Sequence, residues 1–103
     1  MFVKLSASGG VSLEDRGNFR AFKLVIEHTV GELDAVRRAL AGTADFADHE
    51  TAFIFEAALR RSAEVAHDPA WQQALSTMIE KARPHGWIDD QRKAIKAHVE
   101  WAG

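Results

Sequence analysis

The chain contains no cysteine, and this absence removes several kinds of chemistry at the outset. Disulfide bonds, zinc sites built on thiolates, iron–sulfur ligation and a cysteine nucleophile are all excluded. Tyrosine is absent as well, so no phenol can act as an acid or a radical carrier. No apolar run approaches the roughly 20 residues that cross a bilayer, and residues 1–5 do not form the apolar region of a signal peptide. We therefore expect a cytoplasmic protein that does not insert into a membrane.

An excess of charge of one sign is also missing. The 13 Lys and Arg residues nearly balance 15 Asp and Glu residues, which gives a net charge of −2. Nucleic acids and anionic membranes select proteins with a basic excess, so we expect neither as a partner. The familiar motifs of phosphate loops, zinc hydrolases, calcium loops and serine hydrolases do not occur, and we expect no metal and no cofactor.

The overall composition is that of one globular domain, which spans residues 1–103. With 47% hydrophobic and 27% charged residues, the chain lies outside the disordered range. A chain of 103 residues can build a single core without disulfide or metal support.

Two strands are predicted in the N-terminal part of the chain. Weak alternation over Phe2–Ser6 predicts a short strand, and a segment rich in glycine and polar residues follows it. The segment Phe19–His28 has apolar residues on both faces, which is typical of a strand covered at least partly on both sides. The faces carry Phe22, Leu24 and Ile26 on one side, and Phe19, Ala21 and Val25 on the other.

A helix is predicted directly after the second strand. Thr29 and Glu32 have the spacing of a capping box. The helix then extends to about Leu40, and Gly42 is suited to end it in a left-handed conformation.

The segment from Thr51 to Ala66 allows two interpretations. Its first residues are aromatic and β-branched, which favours a strand over about 51–57 followed by a short helical stretch up to Val65. One continuous helix from Glu50 is the alternative, and periodicity alone does not separate the two.

A long helix and a last strand are predicted in the C-terminal part. Asp68 and Pro69 form a helix start, with the aspartate as cap and the proline in the first turn. The segment Arg83–Gly86 ends this helix because it contains Pro84. Alternation from Ala94 to Trp101 predicts a half-buried strand.

These elements predict an α+β fold, a two-layer sandwich in which a three- to four-stranded sheet carries two main helices on one face. The opposite sheet face would be partly apolar through Phe19, Ala21 and Val25. In a small chain a second copy commonly covers such a face, so we expect a homodimer.

The candidate site lies where the second strand meets its helix. His28 is placed there as a general acid or base, and Glu56 would share that sheet edge and orient the imidazole. Arg60 would hold a substrate carboxylate. Aromatic side chains would form the apolar part of the substrate site; they are Phe22, Phe55 and Trp101.

Each of these residues also has a plain structural interpretation. His28 can cap a strand end through a backbone hydrogen bond, and Arg60 can pair with Glu56 or Glu64, each four residues away. Trp87, in the turn after the long helix, is predicted to plug the end of the core. The polar row of Lys96, His98 and Glu100 favours a solvent-facing or dimer salt-bridge row over a metal site.

Two functions from different classes follow from these patterns. The first is a small cofactor-independent acid–base enzyme, an isomerase or lyase acting on a small organic acid or an aromatic substrate. The second is a non-catalytic dimeric binding or accessory module that interacts with a partner protein or a small ligand.

Overall fold

The computed structural model describes all residues from Met1 to Gly103, and its main feature is one mixed sheet of seven strands. The strands are β1 (Phe2–Leu5), β2 (Val11–Glu14), β3 (Lys23–Ile26), β4 (Ala44–Phe46), β5 (Thr51–Phe55), β6 (Ile88–Asp89) and β7 (Ala94–Trp101). The helices are α1 (Leu33–Ala39), α2 (Glu56–Arg60) and α3 (Pro69–Ala82). A 3-10 turn precedes α1 and another follows α3. None of the helices has the length and apolar composition needed to cross a membrane.

The sheet is curled like half of a barrel, with the strand order β2-β1-β3-β7-β5-β4. The three strands β1, β3 and β7 run parallel, whereas β5 runs antiparallel to β7. The two-residue strand β6 pairs with the first residues of β7, and β3 pairs with its last four. Strand β5 pairs along one edge of β7, and β3 and β6 share the opposite edge. Neither β3 nor β6 pairs with Lys96 or Ala97, which leaves a gap in the sheet beside these two residues.

One hydrophobic core fills the concave side of the sheet. Alternate strand residues such as Leu24, Ile54 and Val99 point into it, together with Val36 of α1 and Leu75 of α3. All of these belong to a single cluster of 20 buried residues, so the helices pack on one face of the sheet. The other face carries the polar positions of β7.

The predicted sheet of three to four strands is wrong, because the sheet has seven. Three strands were missed. β2 lies in the turn-rich segment, while β4 and β6 have only three and two residues, too few to show alternation. The second predicted strand is also shorter than expected, since Phe19 and Arg20 form a turn in which the Arg20 amide donates to Asn18 Oδ1 at 3.1 Å.

The local signals for the remaining elements are confirmed. The segment from Thr51 is a strand followed by a helix, although α2 ends at Arg60. The Thr29 amide donates to Glu32 Oε1 at 3.1 Å, as a capping box requires. The Trp71 amide donates to Asp68 at the start of α3, also at 3.1 Å.

Candidate functional site

The structure does not bring His28 and Glu56 together. The Glu56 amide donates to the Lys93 carbonyl just before β7 begins, whereas Ile26, two residues before His28, accepts from Ala102 just after β7 ends. The eight residues of β7 therefore separate them, about 26 Å of strand. The prediction that they share one sheet edge is wrong because β5 runs antiparallel to β7, and neither sequence pattern specified the direction of β5.

His28 makes two local hydrogen bonds. Its Nε2 lies 3.1 Å from the Ser6 carbonyl oxygen, and its Nδ1 lies 3.3 Å from Glu32 Oε2. Two hydrogen bonds lower the pKa of Glu32 below its ordinary value. The larger effect comes from the Thr29 backbone amide, and a smaller one comes from the His28 side chain. The contact with Ser6 is the backbone hydrogen bond that the structural interpretation of His28 predicts.

Arg60 is fully engaged by protein groups, in a cluster that we call the Arg60 clamp (Arg60, Glu56, Gln72 and Ser76). Its Nε donates to Glu56 Oε2 at 2.8 Å, and its Nη2 donates to Ser76 Oγ at 2.8 Å. Its Nη1 donates to both oxygens of Gln72, and the Gln72 amide donates back to the Arg60 carbonyl. The clamp joins α2 to α3 and occupies the donors that were predicted to hold a substrate carboxylate.

The three predicted aromatic residues lie in different places. Trp101 stacks on Phe46 with ring centroids 6.5 Å apart, and its indole N–H donates to the His49 carbonyl at 2.7 Å. Phe55 is half-buried at the end of β5. Only Phe22 lies in the cleft described next.

A cleft of about 930 Å³ opens beside the gap between β3 and β6. Its walls come from three segments of the chain: the turn before β3, one side of α3 with the turn that follows it, and residues of β7 between 95 and 98. The apolar residues of the lining are Phe19, Ala21, Phe22, Ala74, Met78, Ala82, Trp87 and Ile95. The polar residues of the lining are Arg20, Thr77, Lys81, His85, Lys96 and His98.

The wall formed by α3 follows from helical spacing. Ala74, Met78 and Lys81 recur at steps of four and three, so they form one stripe beside the core stripe that contains Leu75 and Ile79. The stripe extends past the helix end to His85, roughly 16 Å from Ala74 at helical rise. Lys96 and His98 are alternate residues of β7 on the sheet face opposite the helices, and they line the cleft beside the gap between β3 and β6.

The charge of the lining has one sign. Five basic side chains line the cleft, and no Asp or Glu does. None of the five takes part in an ion pair or a side-chain hydrogen bond, whereas Lys23, Arg60, Arg83 and Arg92 all have carboxylate partners. In a chain with a net charge of −2, this concentrates unneutralised basic groups at one place. We call these five residues the basic rim; they are Arg20, Lys81, His85, Lys96 and His98.

The polar side chains of the lining offer more hydrogen-bond donors than acceptors, since only the Thr77 hydroxyl and a ring nitrogen of His85 and of His98 can accept. Arginine and lysine donate only, and the lining has no Asp, Glu, Asn or Gln. The hydroxyl of Thr77 already donates to the Gln73 carbonyl at 3.2 Å. The arrangement can therefore satisfy the acceptor atoms of an anion but offers few acceptors to a donor-rich molecule.

Trp87 does not plug the core, contrary to the sequence-based prediction. It is 48% exposed at the mouth of the cleft, and its ring stacks on that of His85 with centroids 4.4 Å apart. The proline and glycine after α3 indicate that the helix ends there, but they do not show whether the side chain of Trp87 points into the core. The sequence also does not show that the five residues of the basic rim lie close together, because they come from three separate segments of the chain.

The structure holds no cluster of three or more His, Asp or Glu side chains that could bind a metal ion. Of the polar row on β7, Glu100 pairs with Lys23 of β3, with Nζ and Oε2 3.4 Å apart. His98 belongs instead to the basic rim.

Comparison with known proteins gives no functional assignment. No protein-family model, no curated protein and no solved structure matches the chain. The residues of the cleft are therefore the basis for the function proposed below.

Proposed function

We propose that this protein binds a small organic anion with an apolar body, a carboxylic acid in its ionised form, in the cleft between α3 and β7. The observation that carries this proposal is the basic rim, five basic side chains without an acidic partner around an apolar lining. The proposal corresponds to the binding module that the sequence left open as an alternative, with a small molecule as its ligand.

Charge complementarity selects an anion over a neutral or cationic ligand. Three rim residues, Arg20, Lys81 and Lys96, carry a permanent charge at neutral pH. Such a cluster, with no carboxylate to offset it, raises the local concentration of anions and favours their binding. The rim is exposed, so each charge contributes modestly, on the order of 0.2–1 kcal/mol.

The donor-rich lining narrows the ligand class further. A sugar or a nucleoside brings several hydroxyl and amino donors, which need acceptors when they are buried. The side chains of the lining supply few acceptors, those of Thr77, His85 and His98, whereas a carboxylate brings acceptors only. The apolar residues around it then favour a hydrocarbon body of substantial size, and about 930 Å³ lies within the range of small-molecule clefts.

Isothermal titration calorimetry tests the proposal with ligands of similar chain length and opposite charge. Decanoate and decylammonium both have ten carbons, and we expect decanoate to bind with at least a tenfold lower dissociation constant. Equal affinity for both ligands, or no binding of decanoate and of 2-naphthoate, would contradict the proposal.

A substitution in the wall places this binding in the cleft. Ala74→Phe fills the space beside α3 and is expected to abolish decanoate binding without changing the charge. Gln73→Phe is the matched control, since Gln73 is an exposed neighbour on α3 outside the lining. Loss of binding in the control alone, or in neither variant, would place the ligand elsewhere.

The acid–base enzyme built on His28 stays a separate prediction. His28 and Arg60 are not part of the cleft lining, and their hydrogen bonds go to protein groups. If a substrate is found, His28→Ala should abolish turnover; unchanged turnover would end that hypothesis.

The homodimer and the cytoplasmic location also stay predictions. Of the residues that motivated the dimer, Phe19 and Ala21 line the cleft and Val25 is buried within the chain. Sedimentation equilibrium tests the dimer, which predicts twice the chain mass of 11.4 kDa.

A further inference from the structure

We infer that the apolar body of the ligand is a planar aromatic ring system that stacks on Trp87. This inference rests on the proposed function, because it names the class of organic anion that the cleft selects. Its starting point is the position of Trp87, a large apolar side chain that is half exposed and lies beside the basic rim.

The backbone of Trp87 is fixed although its side chain is exposed. Its carbonyl accepts from the Lys96 amide of β7 at 2.8 Å, which ties the turn to the sheet. The preceding residue, Gly86, has φ of +76°, a left-handed conformation that glycine adopts without strain. The turn after α3 therefore fixes the backbone of Trp87 beside the cleft, and the stacked ring of His85 restricts the indole, which lowers the entropy cost of binding.

His85 covers one face of the indole. The two rings lie 4.4 Å apart at an interplanar angle of 18°, so they stack face to face. Because one face is occupied, the remaining exposed surface of Trp87 includes the other face. A flat aromatic ligand can complete this stack, whereas a saturated ring or a chain contacts the same surface through fewer atoms.

The rest of the lining suits the same ligand. Phe22 adds a second aromatic side chain to the cleft, and Met78 adds a thioether, which packs favourably against aromatic rings. The basic rim surrounds these groups and supplies donors to a carboxylate attached directly to the ring. An aryl carboxylate thus matches the apolar, the stacking and the charged parts of the site together.

The test compares two acids with the same carbon skeleton and the same charge. 2-Naphthoate is aromatic, and decahydro-2-naphthoate is its saturated counterpart. We expect the wild-type protein to bind 2-naphthoate about fivefold more tightly. Trp87→Phe should keep most of this preference, and Trp87→Leu should reduce the ratio of the two dissociation constants to about one.

The outcomes separate this inference from the proposed function. If both acids bind the wild-type protein equally, or the preference survives Trp87→Leu, the inference is wrong while the anion site stands. If decanoate binds but neither bicyclic acid does, the inference of an aromatic ligand is wrong while the anion site stands. If none of the three acids binds, both the inference and the proposed function fail. A thermal melt of each variant that matches the wild type shows that the fold is intact.

Discussion

The Arg60 clamp and the basic rim lie on two sides of α3, and their basic side chains differ in the partners that they have. In the Arg60 clamp, the guanidinium donates to Glu56, Gln72 and Ser76, and the Gln72 amide returns a hydrogen bond to the Arg60 carbonyl. In the basic rim on the other side of the helix, no side chain has an ion-pair or hydrogen-bond partner. The first group is satisfied within the chain, and the second is satisfied only by an outside anion or by water.

This difference shows which charged side chains can contact a ligand. Arg60 is the residue that a sequence pattern selects, because it follows Glu56 in a helix near a predicted sheet edge. Its donors are already used, so it stabilises the packing of α2 on α3. Of the rim residues, the sequence pattern selects only Lys96 and His98, as members of a polar row on the last strand. None of the five has a carboxylate partner, and all of them lie beside an apolar cleft.

The largest expected effect is on stability, when the clamp is broken. Arg60→Leu leaves Glu56 and Gln72 without their partner in a partly buried place and should lower the free energy of unfolding by about 2 kcal/mol. Urea denaturation measures this change. The dissociation constant for decanoate should stay within about twofold of the wild-type value.

Arg37→Leu is the matched control for this change, because Arg37 is exposed on α1 and has no carboxylate partner. It should change the free energy of unfolding by less than about 0.5 kcal/mol. An Arg60→Leu protein as stable as the wild type would contradict the structural role of the clamp.

The second effect is on binding, when the rim loses charge. The double variant Lys81→Gln and Lys96→Gln removes two of its permanent charges and should raise the dissociation constant for decanoate about tenfold. Its unfolding midpoint should not fall, since neither lysine has a partner to lose. Calorimetry gives the first value and urea denaturation the second.

A variant with the same loss of charge elsewhere provides the comparison. Arg37→Gln and Arg38→Gln, both exposed on α1, should leave the dissociation constant nearly unchanged. If both double variants weaken binding equally, the effect belongs to net charge and not to the cleft.

The smallest expected effect concerns the start of α1. Because hydrogen bonds from Thr29 and His28 lower the pKa of Glu32 in the folded state, its ionised form stabilises the fold at neutral pH. This contribution is lost as the pH falls through the lowered pKa. Glu32→Gln should thus reduce the unfolding midpoint at neutral pH, and the difference from wild type should disappear in acid.

Glu64→Gln is the control for this comparison, since Glu64 is exposed and has no ion-pair partner. It should show no such pH-dependent difference. A Glu32→Gln difference that is the same at both pH values would mean that the carboxylate charge is not what stabilises the turn.

Local signals predicted the elements that depend on neighbouring residues. The Thr29 and Glu32 pair, the Asp68 cap and the alternation of β7 act within a few residues, so the sequence shows them directly. The strand-to-helix change after Phe55 was visible for the same reason. What could not be predicted depends on pairing across the chain: the strands β2, β4 and β6, and the direction of β5.

Of the residues that the sequence predicts for the site, only Phe22 lies in the cleft. Phe22 was selected as an aromatic residue near the second strand, and it lines the cleft. His28 and Glu56 were placed together on the assumption that their strands run parallel, and the antiparallel β5 separates them. Trp87 was assigned to the core because sequence does not report the exposure of a single aromatic residue after a turn.

Nuclear magnetic resonance of the ¹⁵N-labelled protein titrated with decanoate shows where the ligand binds. We expect the largest chemical-shift changes at the amides of Ala74, Lys81, Trp87 and Lys96, and at the indole N–H of Trp87. The amide signals of Arg60 and His28 should change little. Changes centred on His28 or on the Arg60 clamp, with the signals of the cleft unchanged, would mean that the anion does not bind in the cleft.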